Sequence, residues 1–239
     1  MNLDFKRLFD SVSGCFFDIP ARCPYGLDHT AVYRQAGLGR LPDQAFDLFL
    51  ENGFRRNGNV IYTMNCRGCE ACIPIRLRTD EFRPGKNFKK VLGRNRDVDY
   101  QVDQLVVDQE RLDLCNKFLR LRYPGKESSA ADYYSSFFLN SVVQTVEIAY
   151  RLAGKLVGVS IVDVTGTALN AVYFYFDPDY GPRSLGTFNI LFLLELARMK
   201  GFDFVYLGYW IEEVRAMRYK ARFKPHHLFR DGMWQSVGS

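Results

Sequence analysis

Three regularly spaced cysteines are the residues of this chain best suited to metal chemistry. Two residues separate Cys66 from Cys69, and two more separate Cys69 from Cys72. Gaps of this length let successive thiolates turn back onto one centre, which favours metal ligation over a disulfide. A tetrahedral site also needs a fourth ligand. The spacing therefore predicts a metal-binding loop and leaves its remaining ligand open.

Two segments rich in lysine and arginine indicate a polyanionic partner. Residues 76–96 contain eight basic and two acidic residues, and residues 214–230 contain six basic residues and no acidic one. A single segment of this kind is usually a solvated surface. Two acid-poor segments, the second with interleaved aromatic residues, are the pattern expected of nucleic-acid binding.

The composition is that of a globular protein. The 239 residues are 47% hydrophobic and 25% charged, and no apolar run approaches the ~20 residues of a membrane span. The first residues lack the basic and apolar stretches of a signal peptide, so we expect a cytoplasmic protein without membrane contact. Cysteines in that reducing compartment bind metal or lie buried, and we expect burial for Cys15 and Cys115.

The elements that must position these residues change in character near residue 100. Before that point we predict short strands and one clear helix, which ends at Gly53. An Asn57-Gly58 turn predicts a hairpin between residues 54–56 and 60–62. Alternating apolar residues predict a strand over residues 73–77.

The second half of the chain has a different order of elements. We predict helices over 109–123 and 130–139, strands over 142–152, 156–164 and 168–176, a helix over 185–200 and a strand over 204–207. Composition and pattern by themselves define an α+β fold. The order of three strands, a helix and a strand resembles the core of the GCN5-related N-acyltransferase (GNAT) fold. We therefore expect a GNAT-like domain over residues 99–239, preceded by a cysteine-cluster α+β region over residues 1–98.

The start of the predicted helix 185–200 also resembles the pyrophosphate loop of that fold. In such a loop, glycines let backbone N–H groups approach an anion. Phe188 stands where that loop usually has Gly or Ala, which argues against coenzyme A. An ordinary helix cap by Ser184 or Thr187 is the alternative.

Several motifs together resemble the arginyl-tRNA–protein transferase family. They are Cys23-Pro24-Tyr25, the run 53–58, the cysteine triplet, Phe82-Arg83-Pro84 and, in the second half, 176–180, 184–186, 206–211, 217–220 and 223–225. Family members tend to have serine where this chain has Asn57. Independent motifs in family order are far more specific than any single one.

Within the family, the compact cysteine triplet and short chain resemble the bacterial aspartate/glutamate leucyltransferases. This resemblance implies transfer of leucine from leucyl-tRNA to the N-terminal Asp or Glu of a protein, which feeds the N-degron pathway. The implied partners are an aminoacyl-tRNA and an acidic protein N-terminus. The alternatives are arginyl-tRNA as the donor, an acyl-coenzyme A-dependent N-acyltransferase, and a zinc-knuckle RNA-binding module.

The implied reaction needs cations for the acceptor carboxylate and for RNA. The acceptor candidates are Arg55 and Arg56, with Arg76 and Lys90 behind them, because a guanidinium fits a carboxylate. A salt bridge across the hairpin is the alternative for Arg55 or Arg56. The tRNA phosphate candidates are Lys86, Lys89, Lys90, Arg94, Arg96, Arg218, Lys220, Arg222 and Lys224. The candidates for stacking on the terminal adenosine are Tyr209, Trp210 and Tyr219, with a place in the core as the alternative for each.

Acyl transfer to an amine needs little acid–base catalysis. The tRNA ester is already activated, and an α-amine of pKa ~8 is partly neutral near pH 7. Alignment and stabilisation of the oxyanion should therefore dominate. The catalytic candidates are Asp177, Tyr173 and Tyr206, with Asp177 orienting the amine or taking its proton. A plain turn is the alternative role for Asp177.

The resemblance also implies a fourth ligand for the cysteine cluster. Cys23 belongs to the family's N-terminal cysteine element, and four thiolates suit either structural zinc or an iron–sulfur cluster. The chemistry requires neither. We expect such a centre to fix the N-terminal region so that Arg55 and Arg56 face the acceptor.

Overall fold

The computed structural model describes residues 4–125 and 127–238 as a mixed α+β structure. Its helices are α1 (Phe5–Val12), α2 (Asp43–Glu51), α3 (Lys86–Arg94), α4 (Gln109–Arg122), α5 (Ala130–Tyr133), α6 (Leu185–Lys200) and α7 (Arg215–Arg218). Its strands are β1 (Phe17–Arg22), β2 (Thr30–Gly37), β3 (Arg55–Asn57), β4 (Val60–Met64), β5 (Ile73–Arg78), β6 (Val98–Gln104), β7 (Gln144–Leu152), β8 (Lys155–Val164), β9 (Ala168–Phe176), β10 (Phe204–Trp210), β11 (His226–Arg230) and β12 (Met233–Val237). A π-helical turn, Tyr134–Phe138, continues α5.

The strands form a small and a large sheet. The small sheet has the order β1-β2-β4-β3, and the large one has the order β12-β11-β5-β10-β9-β8-β7-β6. In the large sheet β9 and β10 run parallel, and they pair only over Ala168–Asn170 and Phe204–Tyr206 in the described part of the chain. Both strands continue past this pairing, to Phe176 and Trp210. The two strands therefore separate beyond Tyr206.

Strand β5 connects the two halves of the chain. It pairs with β10 on one side and with β11 on the other, antiparallel to both. The predicted division between residues 1–98 and 99–239 therefore does not coincide with a boundary between sheets. As a statement about domains, that division stays a prediction.

The large sheet is covered on both faces. Ile148 of β7 packs in the core that contains Leu193 of α6, whereas the next residue, Ala149, packs in the core that contains Leu114 of α4. This alternation follows the two-residue period of a strand. Within the described ranges, neither α6 nor any other helix has the length and apolar character needed to cross a membrane.

The β3–β4 hairpin is fixed to the large sheet by a buried ion pair. Arg56 donates to both carboxylate oxygens of Asp163 in β8, the shortest of these contacts being 2.7 Å, and neither side chain is exposed. Thr145 of β7 and Asn170 of β9 also donate to Asp163. One charge pair therefore joins the hairpin to three strands.

The turn of this hairpin lies against the π-helical turn. Gly58 has a φ of +55° and donates its N–H to the carbonyl of Phe137 at 3.1 Å. A β-carbon at this position would lie 2.5 Å from the carbonyl oxygen of Ser136. Glycine is therefore needed here for the close approach as well as for the turn.

Most elements predicted for the second half are confirmed, and β9 and α6 have the predicted bounds. Helices α1, α3 and α7 and strands β6, β11 and β12 were not predicted, and β10 continues past residue 207 to Trp210. Cys115 is fully buried, as expected. The expectation for Cys15 was wrong, because its side chain lies exposed in a short 3-10 turn after α1.

Candidate active site

Strand β10 contains a bulge at the point where it separates from β9. Its register against β5 shifts between Tyr206 and Tyr209, and Gly208 has a φ of +77°. The carbonyl of Gly208 accepts a hydrogen bond from Arg55, and the carbonyl of Tyr209 accepts one from Lys220. The bulge therefore brings together two cations from distant parts of the sequence.

Arg55 is the more buried of these two cations, with 4% of its surface exposed. It donates to the carbonyl of Phe54 at 2.7 Å and to that of Gly208 at 3.2 Å. The centre of its guanidinium lies 5.6 Å from the ring centroid of Tyr206 and 5.7 Å from that of Tyr209. Burial lowers the pKa of Arg55, but a guanidinium remains charged in proteins. No carboxylate in the described part of the chain forms an ion pair with it.

Lys220 lies half-buried at the same bulge. Its Nζ donates to the carbonyl oxygen of Tyr209 at 2.8 Å. Burial, followed by repulsion from Arg55, lowers the pKa of Lys220 to about 7. Lys220 also forms no ion pair with any residue in the ranges 4–125 and 127–238. It was predicted to contact tRNA phosphate, yet the structure places it beside Arg55.

Tyrosines from both sheets line this region. The ring of Tyr62 lies 6.3 Å from that of Tyr209 and 5.6 Å from that of Tyr33. Burial raises the pKa of Tyr62, and it raises that of Tyr209 to about 12. These hydroxyls are therefore neutral near pH 7 and surround the cations without neutralising them.

The other acceptor candidates lie in different surroundings. Arg56 is occupied by its buried ion pair with Asp163, in line with the alternative of a structural salt bridge, although its partner is in β8. Arg76 lies between two rings, 3.9 Å from the centroid of Phe204 and 4.2 Å from that of Trp234. Lys90 is exposed on α3. Of the four candidates, Arg55 is the one that donates to a backbone carbonyl of the bulge.

Two catalytic candidates lie on the two strands that separate. Tyr206 of β10 accepts a hydrogen bond from Arg76 at 3.0 Å, and burial raises its pKa to about 12. Tyr173 of β9 packs against Tyr133 and Phe138, and burial raises its pKa as well. Both side chains are therefore neutral phenols near pH 7.

Asp177 directly follows β9 and is a buried, paired carboxylate. It accepts hydrogen bonds from Lys117 at 2.5 Å, from Lys155 at 3.1 Å and from the backbone N–H of Asp179 at 3.1 Å. Burial acts to raise its pKa, but these three hydrogen bonds together lower it below the usual value. A carboxylate kept ionised in this way accepts a proton poorly. Its bond to Asp179 is also the turn chemistry that was the alternative prediction.

The basic segment 76–96 forms an exposed surface on and after α3. We call this surface, made of Lys86, Lys89, Lys90, Arg94 and Arg96, the α3 surface; all five side chains are exposed. Its three lysines lie at helical spacings of three and four and share one side of the helix. Arg94 donates to the carbonyl of Pro182 at 2.6 Å, which joins α3 to the turn before α6. Lysines on this surface are free to meet a polyanion.

The second basic segment is only partly exposed. Arg218, Arg222 and Lys224 are exposed, and Arg218 donates to the carbonyl of Glu212 at 2.6 Å. The three stacking candidates are more enclosed: Tyr209 is buried, and Trp210 and Tyr219 are half-buried against the core under α6.

Three of the predicted metal ligands lie near the fourth, Cys72. Cys23, Cys66, Cys69 and Cys72 are all partly exposed. Burial and then the other three thiols raise the pKa of Cys72 to about 12, so each of these thiols lies within electrostatic reach of Cys72. Their donor chemistry suits zinc or an iron–sulfur cluster. In the part of the chain that the structure describes, however, no three His, Cys, Asp or Glu side chains are arranged to hold an ion. The ligand set stays a prediction.

Sequence reasoning missed the pairing of Arg55 with Lys220. The one local signal was Gly208, which directly follows the predicted strand 204–207 and lies inside the observed β10; a glycine inside a strand suggests a bulge. Which side chains would bond to the carbonyls of that bulge depends on tertiary contacts. The two lysines on Asp177 were missed for the same reason.

These features define a mixed α+β protein with a cationic site at a pair of diverging parallel strands. A solved structure with a similar fold is the C-terminal DUF2156 domain of an Agrobacterium fabrum protein classed with the lysylphosphatidylglycerol synthetases. The match has a TM-score of 0.51 at 15% identity and covers 80% of this chain and 62% of that one. At this identity the likeness concerns the fold alone.

Two family models match the chain and show the family to which it belongs. The profile of the arginine-tRNA-protein transferase N terminus matches residues 21–90, and that of the C terminus matches residues 110–230. The chain therefore belongs to the arginine-tRNA–protein transferase family and is an aminoacyl-tRNA–protein transferase. An aspartate/glutamate leucyltransferase of Chromobacterium violaceum is 36% identical to it, over 91% of this chain and 93% of the relative. One of Nitrobacter hamburgensis is 35% identical, over 93% of this chain and 91% of the relative.

Proposed function

We propose that this enzyme transfers leucine from leucyl-tRNA to the N-terminal Asp or Glu of acceptor proteins. The observation that carries the proposal is the similarity, over nearly the full length of both chains, to proteins named aspartate/glutamate leucyltransferase. The product begins with leucine and enters the N-degron pathway for degradation. We place the reaction in the cytoplasm, where aminoacyl-tRNA is used.

Arg55 supports the acceptor half of this proposal. A carboxylate brought to the bulge would meet a guanidinium that has no anionic partner in the described part of the chain. Binding through the side chain leaves the α-amine of the acceptor free to attack. Arg56 and Arg76 then have structural roles and do not contact the acceptor. Lys90 belongs with the residues that we propose contact tRNA.

The diverging strands support the acyl-transfer half. The neutral amine attacks the ester carbon, a tetrahedral oxyanion forms, and the bond to the ribose oxygen breaks as that oxygen gains the proton that the amine loses. We assign the hydroxyls of Tyr173 and Tyr206 as candidates for donation to the oxyanion, since preorganised donors are the main catalytic need. Asp177, kept ionised by its lysines, has a positioning role at the end of β9.

The α3 surface and the exposed part of the second basic segment support tRNA binding. Exposed lysines and arginines neutralise phosphates, and aromatic rings stack on unpaired bases. In this proposal the tRNA phosphates are bound by the residues of the α3 surface and by Arg218, Arg222 and Lys224. Trp210 and Tyr219 are the half-buried rings for the terminal adenosine.

We also propose a GNAT-like core and a structural metal centre. The strand order β7-β8-β9 with α6 and β10 supports the first. For the second, Cys23, Cys66, Cys69 and Cys72 would be the ligands of zinc or an iron–sulfur cluster, which would stabilise the N-terminal region next to the tyrosines of the site.

A transfer assay tests the proposed function. The full chain is incubated with leucyl-tRNA labelled in the leucine and a peptide that begins with Asp, and label on the peptide is measured. We expect transfer to the peptide from leucyl-tRNA and less from arginyl-tRNA. Release of label only as free leucine, or acylation only from acetyl-coenzyme A, would contradict the proposal.

A further inference from the structure

The bulge of β10 holds Arg55 and Lys220 as one cationic pair. Arg55 donates to the carbonyl of Gly208 at 3.2 Å, and Lys220 donates to the next carbonyl along, that of Tyr209, at 2.8 Å. Two like charges are thus fixed to neighbouring peptide groups of one strand. The positive φ of Gly208 allows the strand to present both carbonyls to them.

No acidic side chain in the described part of the protein neutralises this pair. Neither cation forms an ion pair there, whereas Arg56, the neighbour of Arg55, is fully paired with Asp163. Enclosing unpaired charge costs free energy, and the two cations also repel each other. The repulsion contributes to the lowered pKa of Lys220. An anion bound between them would relieve both costs.

We propose that Arg55 and Lys220 together bind the side-chain carboxylate of the acceptor's N-terminal residue and select acid over amide. This inference rests on the proposed leucyl transfer. The ammonium of Lys220 has three N–H donors, and one of them bonds to the Tyr209 carbonyl. The other two are available to the carboxylate of either Asp or Glu. An Asn or Gln side chain would leave the cations unneutralised.

The position of Lys220 favours a carboxylate over an RNA phosphate. The lysines of the α3 surface are exposed and can follow a phosphate backbone, but Lys220 is half-buried and bonded to a strand carbonyl. Two buried aromatic residues, Tyr206 and Tyr209, lie beside Arg55. A compact anion on a flexible peptide end reaches such a place more easily than a nucleic-acid backbone does.

The test uses Lys220→Gln, which removes the charge and keeps a donor for the Tyr209 carbonyl. Lys220→Arg keeps the charge, and Lys200→Gln at the exposed end of α6 is the matched control. For each full-length variant we measure leucine transfer to peptides that differ only in an N-terminal Asp, Asn, Glu or Gln. The Kd for leucyl-tRNA and the binding of each peptide without tRNA are measured separately.

We expect Lys220→Gln to raise KM for the Asp and Glu peptides about tenfold or more, as removal of a charge-assisted hydrogen bond predicts. Preference over Asn and Gln should shrink by the same factor, with the Kd for leucyl-tRNA unchanged. Lys220→Arg should restore much of the preference, and Lys200→Gln should behave as wild type. Unchanged preference in Lys220→Gln would overturn the proposal, and a weaker Kd for leucyl-tRNA alone would assign Lys220 to RNA.

Failure of the proposed function is distinguishable from failure of this inference. If wild-type enzyme transfers no leucine to any acidic peptide, the proposed reaction is wrong. Peptide binding without tRNA still decides the subsite in that case. Tighter binding of the Asp than of the Asn peptide, abolished in Lys220→Gln, supports the cationic pair, and equal binding of the two peptides to wild type overturns it.

Discussion

Two adjacent arginines of the β3 hairpin have opposite environments. Side chains alternate across a strand, so Arg55 reaches β10, where it bonds to Gly208, and Arg56 reaches Asp163 in β8. Their motif predicted that both would serve the acceptor. In the structure Arg56 forms an ion pair with Asp163, whereas Arg55 forms no ion pair with any described residue.

Replacement of Arg56 should destabilise the protein. Arg56→Met leaves the buried Asp163 charge unpaired, which costs about 3–5 kcal/mol and should lower Tm by roughly 10 °C or more. Thermal unfolding followed by circular dichroism measures the change. The double variant Arg56→Met/Asp163→Asn should recover part of the stability, since it removes both charges. If Arg56→Met instead has the Tm of the wild type and loses only binding of the acceptor peptide, Arg56 is part of the acceptor-binding site.

The acceptor reaction should have a bell-shaped pH profile. The α-amine must be neutral, so the rate rises toward its pKa of ~8. Lys220 must be charged, and its charge is lost as pH rises through its pKa of about 7. The nearest charge facing Lys220 is Arg55, which does not titrate in this range, and Tyr209 stays neutral below its pKa of about 12. We therefore expect kcat/KM for the Asp peptide to reach its maximum between about pH 7 and pH 8.

Lys220→Gln provides the control for this profile. The variant should lose the fall at alkaline pH and keep the rise due to the amine, at a lower rate overall. An alkaline fall that persists unchanged in Lys220→Gln would attribute it to another group. The profile is measured with saturating leucyl-tRNA and limiting peptide, so that it reports on the enzyme–leucyl-tRNA complex and the free peptide.

At the scale of elements, α3 shows a clear difference between the prediction and the structure. Its segment was predicted as a basic surface but not as a helix. Gly85 precedes the helix without a side-chain cap, and Gly93 lies within it, so the usual signals for a helix were weak. The end of α3 is fixed instead by tertiary hydrogen bonds. Arg94 donates to the carbonyl of Pro182, and Asn95 donates to the carbonyl of Arg183.

Neutralising the α3 surface should weaken tRNA binding without changing the acceptor preference. For Lys86→Gln/Lys89→Gln/Lys90→Gln, the Kd for leucyl-tRNA should rise. The slope of log K against log salt should also become shallower, by roughly 0.7–0.9 for each phosphate that the variant no longer neutralises. Kd measured over a salt series tests this. An unchanged slope would show that these lysines face solvent only.

At the scale of the whole molecule, the sequence predicted local order better than long-range neighbours. The periodic runs of β9 and α6 determined their bounds, because alternation and helical spacing are local properties. The place of β5 between β10 and β11 and the meeting of Arg55 with Lys220 depend on contacts between distant segments. No local pattern encodes those contacts.

The cysteine cluster should act on the stability of the whole N-terminal region. We expect purified protein to contain metal, and Cys23→Ser to lose it to the same extent as Cys69→Ser. Elemental analysis and absorbance spectra of anaerobically purified protein distinguish zinc from an iron–sulfur cluster. Cys15→Ser, at an exposed thiol outside the cluster, is the control. Full metal content in Cys23→Ser would exclude Cys23 as a ligand.

Strand β5 also determines when the molecule can fold during its synthesis. It leaves the ribosome with both edges unpaired, since β10 begins only at Phe204 and β11 at His226. Pairings this distant in sequence form slowly. A nascent chain that stalls after α6 would expose two strand edges, which invite aggregation and recognition by chaperones or proteases. An enzyme that we propose marks other proteins for degradation is thus itself open to quality control until β10 and β11 are made.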